Sequence, residues 1–253
     1  MMNRGMMNPI LYSNDTPQPV WAWIYHSPSL WLISLSSDWE TRITIADKNL
    51  GATQVYNNWD TLTEANCWKY YQRWNNHWFP FTGTFFNKSM EQVDTTWYWP
   101  GNYYDSDTFI YTTAGSYIDD WSSTPNNNLW WEITDTTTAR QWPCNTWYHV
   151  CSYNDLFTFS TILLYFISKW IAPNDIHKTY LKMPYAWYIS KILVHTDVWN
   201  WLYIWTSSYN PNYYYTWYSY VYPLVNMPRM IGCPIRPFKD TASVPNSERT
   251  KLL

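Results

Sequence analysis

The sequence predicts a mainly β protein, an antiparallel sandwich of jelly-roll type with one or two short helices. Three observations predict this fold class. Short apolar alternations recur between turn signals, aromatic residues make up 21% of the chain, and only 6 of the 253 residues are glycine whereas 16 are proline. Trp, Tyr, Thr, Ile and Val favour strands, and many short strands of this kind are typical of a sandwich.

Six segments are predicted to be strands because apolar and polar residues alternate in them with a period of two. They are residues 21–25, 30–35, 41–46, 108–113, 191–195 and 213–222. Proline and asparagine clusters separate them, as at Ser27-Pro28 and Asn210-Pro211-Asn212. These clusters supply the turns in a chain that has almost no glycine.

A helix is predicted over residues 61–75. It would begin at Thr61-Leu62-Thr63-Glu64, a capping-box pattern in which the threonine hydroxyl and the glutamate carboxylate accept hydrogen bonds from the first backbone N–H groups. Apolar and aromatic residues then follow at helical spacing, namely Leu62, Ala65, Trp68 and either Tyr71 or Gln72.

The most apolar run of the chain covers residues 156–167. It is shorter than the roughly 20 residues that a membrane span needs, so we expect no membrane span. The run is either a second helix, over about 157–171, or a buried strand, because periodicity does not separate the two in a run this apolar.

The composition divides the chain into a body and two ends. Residues 1–19 and 236–253 are polar or charged and are predicted to be tails, and residues 20–235 form the predicted β-sandwich body.

Charged residues are only 14% of the chain, against about 25% in an ordinary domain, and the net charge is −3. An arginine-rich arm that binds nucleic acid is therefore not expected, and the low glycine content excludes a glycine-rich phosphate loop.

The aromatic content exceeds what a single core ordinarily needs. The chain has 21 Trp, 24 Tyr and 9 Phe, and each aromatic side chain buries roughly 150–250 Å². We therefore expect part of this surface to be covered by other copies of the chain.

Two groups of residues are candidates for ligand sites. Four carboxylates, Asp105, Asp107, Asp119 and Asp120, flank a predicted hairpin that would bring them together. We expect them to be solvated and the chain to need no cofactor; the alternative is a site for Ca²⁺, which prefers several oxygen ligands. The second group, Trp97, Trp99, Trp130 and Trp131, could stack on sugars or bases, but we expect core and subunit interface instead, because aromatic residues are spread over the whole chain.

Cysteine and histidine residues give no assignable catalytic or zinc site. Cys144, His149 and Cys151 include ligand types that zinc accepts, but their spacing matches no ordinary zinc motif and a fourth ligand is not evident. We expect these cysteines to be buried, either free or linked by a disulfide. No nucleophile elbow or Cys/His signature surrounds a candidate nucleophile, so an enzyme is not expected.

One local run resembles a known family. Residues 58–74 (NWDTLTEANCWKYYQRW) resemble a stretch of the capsid proteins of small single-stranded-DNA viruses of the parvovirus type, in which a Trp precedes a short helix with another Trp. Capsid proteins of that family are longer and richer in glycine, so long surface loops would be absent here. The resemblance implies an eight-stranded jelly roll that assembles into an icosahedral shell, with no catalytic residues.

These observations predict a structural, self-assembling viral capsid subunit that is located in the virion and has copies of itself as partners. Contact with single-stranded nucleic acid would use aromatic stacking. The alternative function is an extracellular, aromatic-rich carbohydrate-binding β-sandwich that contacts surface glycans. A β glycoside hydrolase is a third hypothesis, but the sequence shows no assignable acid pair.

Overall fold

The computed structural model describes residues 22–37, 41–58, 60–67, 69–73, 75, 77–79, 87–89, 108–110, 143–145, 147–169, 171–172, 175–184, 188–189, 195–196, 203–210, 213–217, 225–227 and 231–240. In this part of the chain the fold is mainly β, with antiparallel sheets and few helices. The mainly β fold class is thus confirmed.

The strands in chain order are β1 (Trp23–Ser27), β2 (Leu32–Ser36), β3 (Arg42–Ala46), β4 (Tyr70–Gln72), β5 (Trp78–Phe79), β6 (Asn87–Ser89), β7 (Thr108–Ile110), β8 (Tyr148–Val150), β9 (Tyr188–Ile189), β10 (His195–Thr196), β11 (Ile204–Asn210), β12 (Tyr213–Trp217), β13 (Val225–Met227), β14 (Gly232–Cys233) and β15 (Pro237–Lys239). The α-helix α1 covers Tyr153–Lys169, a 3₁₀ turn covers Pro28–Leu30 and a π-helical turn covers Ile176–Tyr180. Strands β1, β2, β3, β7, β10 and β12 overlap the six predicted strand segments.

The first five-stranded sheet has the order β1-β2-β3-β15-β8, with every neighbouring pair antiparallel. All of β2 is buried, and its Ile33 lies opposite Ile45 of β3. Phe238 of β15 lies between Ile45 and His149, so a strand from near the chain's end completes the middle of the sheet. β15 belongs to the segment 236–253 that was predicted to be a tail, and the β body therefore extends at least to Lys239.

The second five-stranded sheet has the order β10-β9-β14-β4-β5, again antiparallel throughout. Its strand β4 lies inside the segment 61–75 that was predicted to be a helix, and that prediction is wrong. Residues 64–67 form turns, and the three residues of β4 are all buried. Burial of consecutive side chains requires cover on both faces, which a strand inside a sheet receives and a surface helix does not.

The other described strands form a three-stranded antiparallel sheet, β11-β12-β13, and the parallel pair β6-β7. The N-terminal segment 1–19 and residues from 241 onward lie outside the described residues.

The apolar run at 156–167 lies within helix α1, so of the two predicted states, a helix over about 157–171 and a buried strand, the helix is the one observed. One face of α1 is fully buried and carries Leu156, Phe159, Ile162, Leu163 and Phe166. Phe159 meets Phe238 of the first sheet edge to face, with ring centroids 5.6 Å apart. Within the described residues, no helix is both long and apolar enough to cross a membrane.

Candidate functional site

Helix α1 also presents large apolar side chains to solvent. Tyr153, Phe157 and Leu164 are 37%, 60% and 45% exposed, and the exposed residues Thr161 and Ser168 complete the same row. Their spacing of four, four, three and four residues places all five on one face of the helix, opposite the core face. We call this face the α1 stripe.

The aliphatic hydroxyl groups of the α1 stripe, those of Thr161 and Ser168, are already hydrogen-bonded within the helix. Thr161 Oγ1 donates to the carbonyl of Phe157 at 2.9 Å, and Ser168 Oγ donates to the carbonyl of Tyr165 at 2.8 Å. A hydroxyl that has a protein acceptor loses less on burial than one that depends on water. The part of the α1 stripe from Phe157 to Ser168 can therefore be dehydrated at low cost.

A buried imidazole fixes the start of α1 to the first sheet. Nδ1 of His149, in β8, lies 2.7 Å from Oδ1 of Asp240, and its Nε2 lies 3.2 Å from Oδ2 of Asp155, in the first turn of α1. Asp155 Oδ2 also accepts hydrogen bonds from the backbone N–H and the hydroxyl of Ser152. We call His149, Asp155 and Asp240 the His149 cluster.

The two carboxylates decide the charge of His149. Burial alone would lower its pKa, but the hydrogen bonds and charges of Asp155 and Asp240 raise the pKa to about 9. Burial would likewise raise the pKa of Asp155, yet the hydrogen bonds and charge of His149 hold it below its usual range. The imidazole is therefore protonated at neutral pH, and the cluster is a positive charge held between two negative ones.

A pocket of about 290 Å³ opens beside the first sheet. Its lining comes from the turn before β2, the loop after β3, the loop before β8 and the first residue of β15, and it includes Trp31, Lys48, Asn49, Asn145 and Tyr148. Trp31 is 53% exposed, and the Lys48 Nζ lies 3.7 Å from the centroid of its ring. We call this site the Trp31 pocket.

The backbone at Trp31 is held in the left-handed region, with φ 58°. A non-glycine residue with a bulky side chain adopts this conformation only where its surroundings enforce it. Here the Trp31 N–H donates to the carbonyl of Pro28, and the Trp31 carbonyl accepts from the N–H of Asp47. Asp47, fully buried, in turn pairs with His26 at 3.2 Å.

Asn49 lines the pocket and carries a side-chain amide without a hydrogen-bond partner among the described residues. It is almost completely buried, and neither its Nδ2 nor its Oδ1 finds a hydrogen-bond partner in the described part of the chain. A buried amide without a partner costs on the order of 1–3 kcal/mol. Among the described residues that line the pocket, Lys48 alone carries a charge.

The cysteines are free and buried, which is one of the two states predicted for them. Burial raises the pKa of Cys67 to about 12 and that of Cys144 and Cys151 well above the ordinary value, so these thiols are poor nucleophiles. In the described ranges, no group of three or more His, Cys, Asp or Glu side chains could hold a metal ion. His149 instead pairs with carboxylates.

The ligand sites predicted from the sequence all lie outside the described residues. These are the acidic group Asp105, Asp107, Asp119 and Asp120 and the aromatic group Trp97, Trp99, Trp130 and Trp131. Sequence reasoning missed the Trp31 pocket and the His149 cluster because both assemble residues from distant segments. The exposed side of α1 could have been found, since Tyr153, Phe157, Thr161 and Leu164 follow at helical spacing once a helix is chosen.

Comparison with known proteins found no relative. No family model matches the chain, and neither the curated proteins nor the solved structures contain a match to it. Function must therefore be argued from the residues of this chain.

Proposed function

We propose that this chain is a self-associating structural subunit, of the kind that builds a viral coat, and that it acts in the virion. The observation that carries the proposal is the α1 stripe, a solvent-exposed face of aromatic and aliphatic side chains on a helix whose opposite face already fills the core. Exposed apolar patches on soluble proteins mark interaction sites. A second copy of the chain is the partner that fits this face.

The α1 stripe is complementary to itself in an antiparallel arrangement. Thr161 lies at its centre, with Phe157 four residues before it and Leu164 three residues after it. A two-fold axis near Thr161 would set each Phe157 against Leu164 of the other copy, and each large Tyr153 against the small Ser168. Two-fold contacts require a surface that is complementary to itself in this way.

Charge does not oppose the same arrangement. The charged side chains of α1 are Asp155 in its first turn, which is paired with His149 of the same copy, and Lys169 at its end. Between them lie 13 residues that carry no charge at neutral pH, so no like charges meet in the contact.

One helix stripe does not by itself make a stable interface, because specific interfaces bury about 800 Å² on each partner. Other described side chains add apolar surface, namely Leu30, Trp78 and Trp147. Several separate apolar patches suit a subunit that contacts more than one neighbour, as a coat protein does.

A jelly roll is the finer fold that we propose for this function. Two antiparallel five-stranded sheets support it, and so does the insertion of β15 between β3 and β8, since long connections between neighbouring strands are typical of Greek-key arrangements. The resemblance of residues 58–74 to parvovirus-type capsid proteins adds little, because the short helix that it implies is replaced here by turns and by β4.

Analytical ultracentrifugation of the purified chain at micromolar concentration tests the proposal. We expect discrete oligomers or closed particles, and a monodisperse monomer would overturn it. Phe157→Glu places a charge opposite Leu164 of the other copy in the proposed contact and should shift the distribution toward smaller species. Lys169→Glu is the matched control, because it adds a carboxylate to the same helix outside the α1 stripe and should leave large species present.

The alternative function, an extracellular carbohydrate-binding sandwich, remains a proposal based on composition, as do the Ca²⁺ site and the aromatic contacts with single-stranded nucleic acid. These rest on residues outside the described ranges. A chain that stays monomeric but is retained on a glycan array would favour the alternative over the coat subunit.

A further inference from the structure

We propose that the Trp31 pocket binds one acidic monosaccharide unit, of the uronic- or sialic-acid class, with Trp31 as the stacking surface and Lys48 as the partner of the carboxylate. This site is separate from the aromatic pairs considered in the sequence, and the inference is independent of self-association through α1.

The size of the pocket sets an upper limit on the ligand. Pockets for drug-sized ligands measure roughly 300–1,000 Å³, and this one measures about 290 Å³. It therefore suits a single small ring with its substituents. A nucleotide, with base, sugar and phosphate, needs more room, and a phosphate is ordinarily held by more cationic or N–H donors than one lysine supplies.

The Trp31 side chain supplies the apolar contact that a sugar ring needs. Its ring is more than half exposed, and the Lys48 ammonium group, 3.7 Å from the ring centroid, restrains the ring from one face. A ring that is held in place before binding loses little conformational entropy when a ligand stacks on it. The C–H face of a pyranose is apolar and can lie flat on an aromatic ring in the way that bases do.

The polar groups of the pocket match the hydroxyl groups of a sugar. Asn145 supplies an amide that both donates and accepts, and Tyr148 supplies a phenol that does the same. Among the described residues that line the pocket, Lys48 supplies the positive charge, and its ammonium group favours an acidic sugar over a neutral one.

Isothermal titration calorimetry and saturation-transfer NMR with the folded full chain test this inference. The probes are D-glucuronate, D-glucose and thymidine monophosphate. We expect glucuronate to bind more tightly than glucose, with an affinity that falls as NaCl is raised, whereas glucose binding should not depend on salt. No binding of either sugar at 10 mM, or binding of the nucleotide alone, would overturn the proposal.

Trp31→Gly removes the ring and suits a backbone with positive φ, so this variant should fold. We expect it to weaken glucuronate binding about tenfold or more. Trp147→Gly is the matched control, because Trp147 is equally exposed, also has positive φ and does not line the pocket. Lys48→Gln should reduce glucuronate binding to the level of glucose. An equal loss in Trp31→Gly and Trp147→Gly would contradict the assignment.

Discussion

His149 and Asp240 are 91 residues apart in sequence, yet the imidazole Nδ1 and the carboxylate Oδ1 lie 2.7 Å apart in a buried site. Asp240 directly follows β15, which pairs with the strand of His149, while Asp155 on the other side of the imidazole begins α1. One protonated ring therefore links β8, the first turn of α1 and the residue that follows β15. This placement makes the stability of the fold depend on pH.

The free energy of unfolding should fall as the pH rises from 7 to 8. The folded chain holds the His149 proton up to a pH of about 9, whereas an unfolded histidine loses it near pH 6.5. The stabilisation is therefore complete below about pH 6.5 and is lost as the pH rises through 9. We expect a loss of about 1 kcal/mol over this single pH unit, measured by urea denaturation at both values.

His149→Gln should remove most of this slope, because glutamine does not titrate. The buried cysteines and the buried His177 also titrate differently in the unfolded chain, but they are unchanged in the variant and their contribution cancels in the comparison. Asp240→Asn gives an intermediate slope, since one of the two carboxylates remains. Equal slopes in wild type and both variants would show that His149 is neutral in the folded chain.

The left-handed backbone at Trp31 predicts an order of stability among its variants. Alanine at φ 58° keeps the steric cost of the left-handed region, which is on the order of 1 kcal/mol, and glycine removes it. We expect Trp31→Gly to be more stable than Trp31→Ala by about 1 kcal/mol in thermal or urea unfolding. The reverse order would mean that Trp31 does not occupy the left-handed region in solution.

Short-range patterns predicted much of the fold, and long-range pairing explains what they missed. Strands β1 to β3 were predictable because neighbouring segments pair with each other through short turns. The segment 61–75 was misassigned because β4 pairs with β14, more than 150 residues away, and a capping-box pattern contains no information about such a partner. The His149 cluster depends on the same kind of contact, so its role was not visible in the sequence.

The turn that replaces the predicted helix gives a second test of this segment. The Asn66 side chain accepts from the Thr63 N–H at 2.9 Å and donates to the Thr61 carbonyl at 3.0 Å. Asn66→Ala should cost about 1–2 kcal/mol, because both groups lose a nearly buried partner. Thr61→Ala should cost less than about 0.5 kcal/mol, since only the Thr61 backbone takes part. A larger loss of stability in Thr61→Ala would instead support the helix with a capping box that the sequence predicted.

The two faces of α1 should respond differently when a phenylalanine is truncated. Phe159 is fully buried against Phe238, and Phe159→Ala should cost about 3–5 kcal/mol because it leaves a cavity in the core. Phe157 is 60% exposed, so Phe157→Ala should change the stability of the monomer by less than about 0.5 kcal/mol.

The effect of Phe157→Ala should appear instead in the concentration dependence of unfolding, because a contact between copies stabilises the fold only when copies are associated. Urea unfolding at 0.5 and 50 μM separates the two. We expect the wild-type midpoint to rise with concentration and the Phe157→Ala midpoint to rise less, whereas Phe159→Ala should lower the midpoint at both concentrations. A wild-type midpoint that does not change with concentration would show that copies of the chain do not associate through the α1 stripe.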